Sequence, residues 1–86
     1  MYFVYILENQ NDKFWYIGYT SNLERRILEH QHGKGGRTTS IKNDWHLIYS
    51  ESYLNNKDAR GRELFLKSGA GRRFIKKQLS HYLAEL

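Results

Sequence analysis

Eighty-six residues suit one small domain, and a chain of this length buries only about 60–65% of the surface its unfolded form exposes, so its core must be thin. The absence of cysteine excludes a disulfide framework and a thiolate zinc site, and apolar runs of about six residues fall far short of the roughly 20 needed to span a membrane. With no basic segment leading into an apolar stretch of signal-peptide length, the chain reads as a soluble, cytoplasmic domain over residues 1–86. The net charge of +5 is unevenly spread: residues 57–86 hold eight basic and three acidic side chains, whereas residues 1–56 are balanced. That excess suits a phosphate-bearing partner, or equally a solvated helix surface.

Residues 2–7, YFVYIL, and 14–19, FWYIGY, are aromatic and β-branched, and the polar ENQNDK between them predicts a β-hairpin. A six-residue loop would pair position 7 with 14 and Tyr5 with Tyr16 on one face, leaving Val4, Ile6, Trp15 and Ile17 on the other. Both faces are then apolar enough to be covered. Gly18 packs nothing in such a strand, so it implies a bulge, a close approach by another chain, or simply a strand end.

The segment TSNLERRILEH supplies a cap at Thr20, Ser21 or Asn22, and Leu23 and Ile27 form an apolar row, which predicts a helix over about 22–31. Arg26 and His30 stand four residues apart on one side of it and can meet one ligand, while Arg25 points away. HGKGGRTTS reads as a basic loop and WHLIYSESY, residues 45–53, as a third strand. A helix then starts near Lys57, SGAG at 68–71 offers glycines able to end it in a left-handed conformation, and RRFIKKQLSHYLAEL forms a last amphipathic helix. The fold class is α+β: a small three-stranded antiparallel sheet flanked by helices in the order β-β-α-β-α-α.

Glu63 lies on the stripe shared by Ala59, Leu66 and Ala70, which should face the body of the protein. A carboxylate there calls for an arginine partner or a metal ion, unless it pairs at the rim with Arg60, Arg62 or Lys67. The four histidines have no zinc-binding helical spacing, and GKGGR lacks the spacing of a phosphate-cradling loop.

Tyr5, the triad Tyr16-Ile17-Gly18, Arg26, His30 and Glu63 follow one another in an order and spacing that resemble the GIY-YIG endonuclease superfamily. Over nearly its whole length the sequence is similar to small stand-alone bacterial members related to the amino-terminal nuclease domain found in the excision-repair enzyme excinuclease ABC. The first triad is represented by Phe3-Val4-Tyr5, which keeps only the tyrosine. Tyr19 replaces a lysine that follows the glycine in the excision-repair members, and a late asparagine of the family has no secure counterpart.

The resemblance implies a metal-dependent endonuclease acting on double-stranded or branched DNA in repair or recombination, with Tyr5, Tyr16, Arg26, His30 and Glu63 as its catalytic set. The alternative is a nucleic-acid-binding module of the same fold that cuts weakly or not at all. Glu63 would hold Mg2+, or Mn2+ in its place, with no small-molecule cofactor, and Arg26 would grip a phosphate oxygen. One tyrosine would activate water, with Tyr16 the favoured base, while the other positions it and His30 orients a hydroxyl or relays a proton. Backbone contacts would come from Arg72, Arg73, Lys76 and Lys77, and from Lys34 and Arg37 on the glycine-rich loop.

Overall fold

The computed structural model describes residues 1–32 and 44–85; Lys34 and Arg37, with the glycine-rich segment around them, lie outside the described residues. Strands β1 (Tyr2–Asn9) and β2 (Trp15–Thr20) form the expected hairpin, and β3 (Trp45–Tyr53) pairs with β1 on its other side. The sheet is antiparallel with β1 in the centre, in the order β2-β1-β3.

The hairpin register differs from the one expected. Tyr5 stands opposite Gly18, and Tyr16 opposite Leu7, because β1 continues through Glu8 and Asn9 and shortens the loop. The Asn9 side-chain oxygen accepts from the amides of Asn11 at 3.0 Å and Asp12 at 3.3 Å, and the Asp12 carboxylate accepts from the Phe14 amide at 3.0 Å. With Lys13 at φ 63, in the left-handed region, the chain reverses tightly enough for Asn9 N–H to reach Phe14 O at 2.8 Å. Tyr5 and Tyr16 still share a face, but diagonally, with ring centroids 6.4 Å apart.

Each face of the sheet carries a helical layer. Val4, Ile6, Trp15 and Ile17 pack with Ala59 and Leu66 of α2 (Asn56–Lys67) and Ile75 of α3 (Gly69–Gln78). On the other face Tyr5, Leu7 and Trp45 pack with Tyr16 and with Leu23 and Ile27 of α1 (Leu23–Gln31). Asn22 caps α1 by accepting from the Arg25 amide at 3.1 Å. The carboxy-terminal helix is interrupted at Leu79, after which a short α4 (Ser80–Ala84) follows. No helix among the described residues is long and apolar enough to cross a membrane.

The glycines at 69 and 71 do not end α2 in a left-handed turn. Ser68, in extended conformation, closes α2 and caps α3, accepting from the Gly71 amide at 3.1 Å, so both glycines begin the next helix. Gly71 is there for space: a Cβ would stand 1.9 Å from the Phe65 carbonyl oxygen, where α3 crosses the end of α2. Gly61, by contrast, has nothing within 4 Å of a would-be Cβ. Gly61→Ala should therefore stabilise the protein by about 0.5–1 kcal/mol through helix propensity, whereas Gly71→Ala should lose about 1–3 kcal/mol to overpacking. Urea unfolding of the two variants checks both, and equal effects would refute the assignment of a close backbone approach at Gly71.

Candidate active site

Tyr5 projects from the central strand and lays its ring over Gly18 of the edge strand. A Cβ at position 18 would meet the Tyr5 hydroxyl at 2.4 Å, so only glycine leaves room for the ring. This is why Gly18 stands inside an aromatic strand: β2 runs on to Thr20, so it is no strand end, and the neighbour it admits is a side chain of the adjacent strand.

Tyr5 is 1% exposed, and a hydroxyl so deeply buried needs a partner. His30, from the last turn of α1 and also 1% exposed, brings its Nε2 to 2.8 Å from it. The Tyr16 ring lies 4.6 Å from the His30 ring and meets Trp45 edge-on at 6.4 Å. Arg26, one turn before His30, interacts electrostatically with Tyr5 and pairs with Glu29 at 3.3 Å. The one-sided projection expected of Arg26 and His30 thus brings both to Tyr5.

Burial pushes the Tyr5 hydroxyl up to about 12, even though the nearby Arg26 works against that rise; the neighbouring Tyr16 and the charge of Glu63 add to it. Burial also lowers His30 to about 4, and the positive charge of Arg26 reinforces this. At neutral pH the pair is therefore a protonated phenol and a neutral imidazole. Phenol and imidazole share one hydrogen bond, whose donor is set by the imidazole tautomer.

Glu63 comes from the opposite layer. Ala59 and Leu66 of its stripe are buried as expected, but Ala70 is exposed, because Ser68 resets the chain before it. The Glu63 side chain is 14% exposed, with Lys67 Nζ at 3.0 Å and Arg60 Nε at 3.6 Å. Of the three rim partners expected, Arg62 is the exception: it makes a double contact with Glu51, at 2.9 and 3.0 Å. Arg60 also lies over the Tyr19 ring, 5.1 Å from its centroid.

A second charged cluster is not foreshadowed by the sequence motifs. Glu51 accepts from Arg62, Tyr49 and Tyr53, and these bonds hold its carboxyl below the usual range although burial alone would raise it. The alternation along β3 that places Glu51 between Tyr49 and Tyr53 is the signal that could have found it. Glu8, which the sequence pattern places in the loop, is instead buried on β1, accepting from Trp15 Nε1 at 2.9 Å and the Tyr82 hydroxyl at 2.7 Å.

Tyr5, Tyr16, Arg26 and His30 are thus gathered at one place, with Gly18 making the room and the charge of Glu63 felt at Tyr5. Arg72, Arg73, Lys76 and Lys77 are exposed on α3, in the layer on the other face of the sheet, and border grooves that none of the five lines.

A buried aromatic cluster with cationic and anionic groups at its edge, on a small antiparallel sheet with helices on both faces, defines the class to which the comparisons point. Residues 1–77 match the GIY-YIG catalytic domain, and the chain belongs to that family, whose members are generally nucleases and bind DNA. Among the similar proteins, the UPF0213 protein YazA of Bacillus subtilis is 33% identical over 77% of this chain and 66% of its own length. A UPF0213 protein of Staphylococcus epidermidis is 36% identical over 78% of this chain and 80% of its own. The solution NMR structure of the UPF0213 protein BH0048 from Bacillus halodurans superposes with a TM-score of 0.55 at 34% identity, covering 95% of this chain and 85% of that one. The three-stranded sheet and helix order agree with this fold.

The Tyr5–His30 pair gives the fold an acid limit. His30 titrates at about 4 when folded and near 6.5 when unfolded, so below 6.5 the unfolded chain binds the extra proton and stability falls as pH drops towards 4. The loss attributable to this histidine should be on the order of 2–3 kcal/mol. Urea midpoints measured between pH 7.5 and 4 for the wild type and His30→Gln should converge as pH falls; parallel curves would contradict a buried neutral imidazole.

Proposed function

We propose that the protein is a metal-dependent endonuclease that hydrolyses DNA phosphodiester bonds. The observation that carries this reading is the Tyr5–His30–Arg26 assembly beside Tyr16, with the charge of Glu63 reaching it from the other layer.

Phosphodiester hydrolysis requires a deprotonated water, neutralisation of the charge that grows on the phosphate and stabilisation of the departing oxygen. Tyr5 is ill placed to take the water's proton, since it is sealed from solvent and its hydroxyl is committed to His30. Tyr16, half-buried beside His30, is the tyrosine that water can reach, and it serves as the general base. Arg26 is close enough to interact with Tyr16, and so with a water and phosphate bound beside it. Tyr5 and His30, hydrogen-bonded to each other, stand beside Arg26, whose guanidinium, tethered by Glu29, presents a planar fork able to grip a non-bridging phosphate oxygen.

Glu63 fits a magnesium ion better than a softer metal. No group of three or more His, Asp or Glu able to hold an ion occurs among the described residues, and a single hard carboxylate suits an ion that keeps most of its waters and shares the phosphate. Such an ion, or manganese in its place, would supply positive charge at the attacking water and the leaving oxygen. Lys67 and Arg60 already contact the carboxylate, so ion binding has to displace or rearrange them.

The test is cleavage of plasmid, single-stranded and branched DNA, with magnesium, manganese or EDTA. Tyr16→Phe should slow cleavage by about 10^2–10^4 and Arg26→Ala by about 10^2–10^3. Glu63→Gln should remove the response to metal, while Tyr5→Phe, which loses only positioning, should cost less than Tyr16→Phe. Binding without cleavage of any substrate, unchanged in Tyr16→Phe and Glu63→Gln, would instead establish a binding module of the same fold. Repair or recombination is the process in which such an activity would act.

A further inference from the structure

The cations among the described residues differ in whether they are paired. Arg26, Arg60, Arg62 and Lys67 all contact carboxylates. Lys13, Arg72 and Lys76 have no ion-pair partner among the described residues, yet they converge from two elements on a groove of about 320 Å3 between the hairpin end and α3. Among the described residues the one carboxylate lining that groove is Glu8, whose oxygens accept from Trp15 and Tyr82. Three cations around that single carboxylate leave the groove with an excess of positive charge, which favours an anion sharing the site.

The shape of the groove adds to the charge. Phe14, 44% exposed, forms part of the lining and is held edge-on against the buried Trp45, with ring centroids 6.3 Å apart. Trp45 in turn meets Tyr16 at 6.4 Å. Two aromatic steps round the end of the hairpin therefore separate the groove from the tyrosine site, although the two lie on different faces of the sheet.

We propose that this groove is a second nucleic-acid site, in which Lys13, Arg72 and Lys76 hold the phosphodiester backbone of a strand that rounds the hairpin end at Phe14. It extends the nuclease reading, since the strand held here is the one presented at Tyr16. Contacts of this kind fix register without reading bases, and an exposed aromatic between cations gives a base or sugar a face to rest on.

The experiment uses the full chain in EDTA, where cleavage is absent, and measures binding of a fluorescent single-stranded oligonucleotide and its duplex by anisotropy across a salt series. Arg72→Gln with Lys76→Gln should weaken binding at least tenfold. It should also reduce the slope of log affinity against log salt by about 1.4–1.8, two phosphate contacts' worth. Lys57→Gln, which removes an exposed charge outside the groove, should change neither by more than about twofold. Phe14→Ala should weaken the single strand more than the duplex. Equal losses from Lys57→Gln and Lys76→Gln, or a salt slope unchanged in the double variant, would overturn the proposal. Cleavage in magnesium is read separately: groove-dependent binding without cleavage would overturn the catalytic assignment and leave this site standing.

Discussion

The structure depends on the burial of one phenol. Tyr5 occupies the central strand, where both neighbours are hydrogen-bonded and both faces are covered, so its hydroxyl has to find a partner inside the protein. The partner is His30, in the last turn of the helix that its cap at Asn22 begins. Meeting that requirement fixes three things together: the edge strand must present a glycine where the ring lies, α1 must cross the sheet at the position that delivers its last turn, and the hairpin must hold one register. A slip of one residue would turn the side chains of β2 to the opposite faces and leave the Tyr5 hydroxyl against a side chain.

The same economy governs the charges. A thin core cannot hide an ion pair completely, so Glu51 and Glu63 pair at layer edges, each met by more than one donor. Glu51 is the fullest case, with two bonds from Arg62 and one from each flanking tyrosine, while Arg62 lies over Phe74 at 4.6 Å. This cluster ties β3 to α2 and the start of α3. It uses up Arg62 for structure, and so leaves Glu63 to Arg60 and Lys67, both long side chains on its own helix that cost little to displace.

What can be read from the sequence is set by residue type and period. Alternating aromatics mark the strands, β3 to the residue, and the row of Leu23 and Ile27 marks α1; the order of Tyr5, Tyr16, Arg26, His30 and Glu63 marks the family. The register is not legible, because it is decided by a side chain inside the turn: Asn9 accepting two amides, with Lys13 left-handed behind it. A string of polar residues does not announce which of them will cap. Glycine is ambiguous for a related reason. At 18 it admits a ring and at 71 a carbonyl, two close approaches made by tertiary packing, whereas the local pattern of 68–71 suggests only a helix end. The basic stretch on α3 is visible as charge, but which layer it joins depends on Ile75 seeking the Val4–Ile6 face.

Smallness then becomes a chemical advantage. In a larger α/β protein a group on one helical layer is screened from the other by a broad sheet; here β2 is an edge strand, and at Gly18 it has no side chain on the tyrosine face. The Tyr5 hydroxyl occupies that gap, and the negative charge of Glu63, carried on the opposite layer, is felt there. The residue that makes this geometry available is the one that looks least chemical in the sequence: the absence of a side chain at position 18 makes room for the Tyr5 ring, whose hydroxyl meets His30.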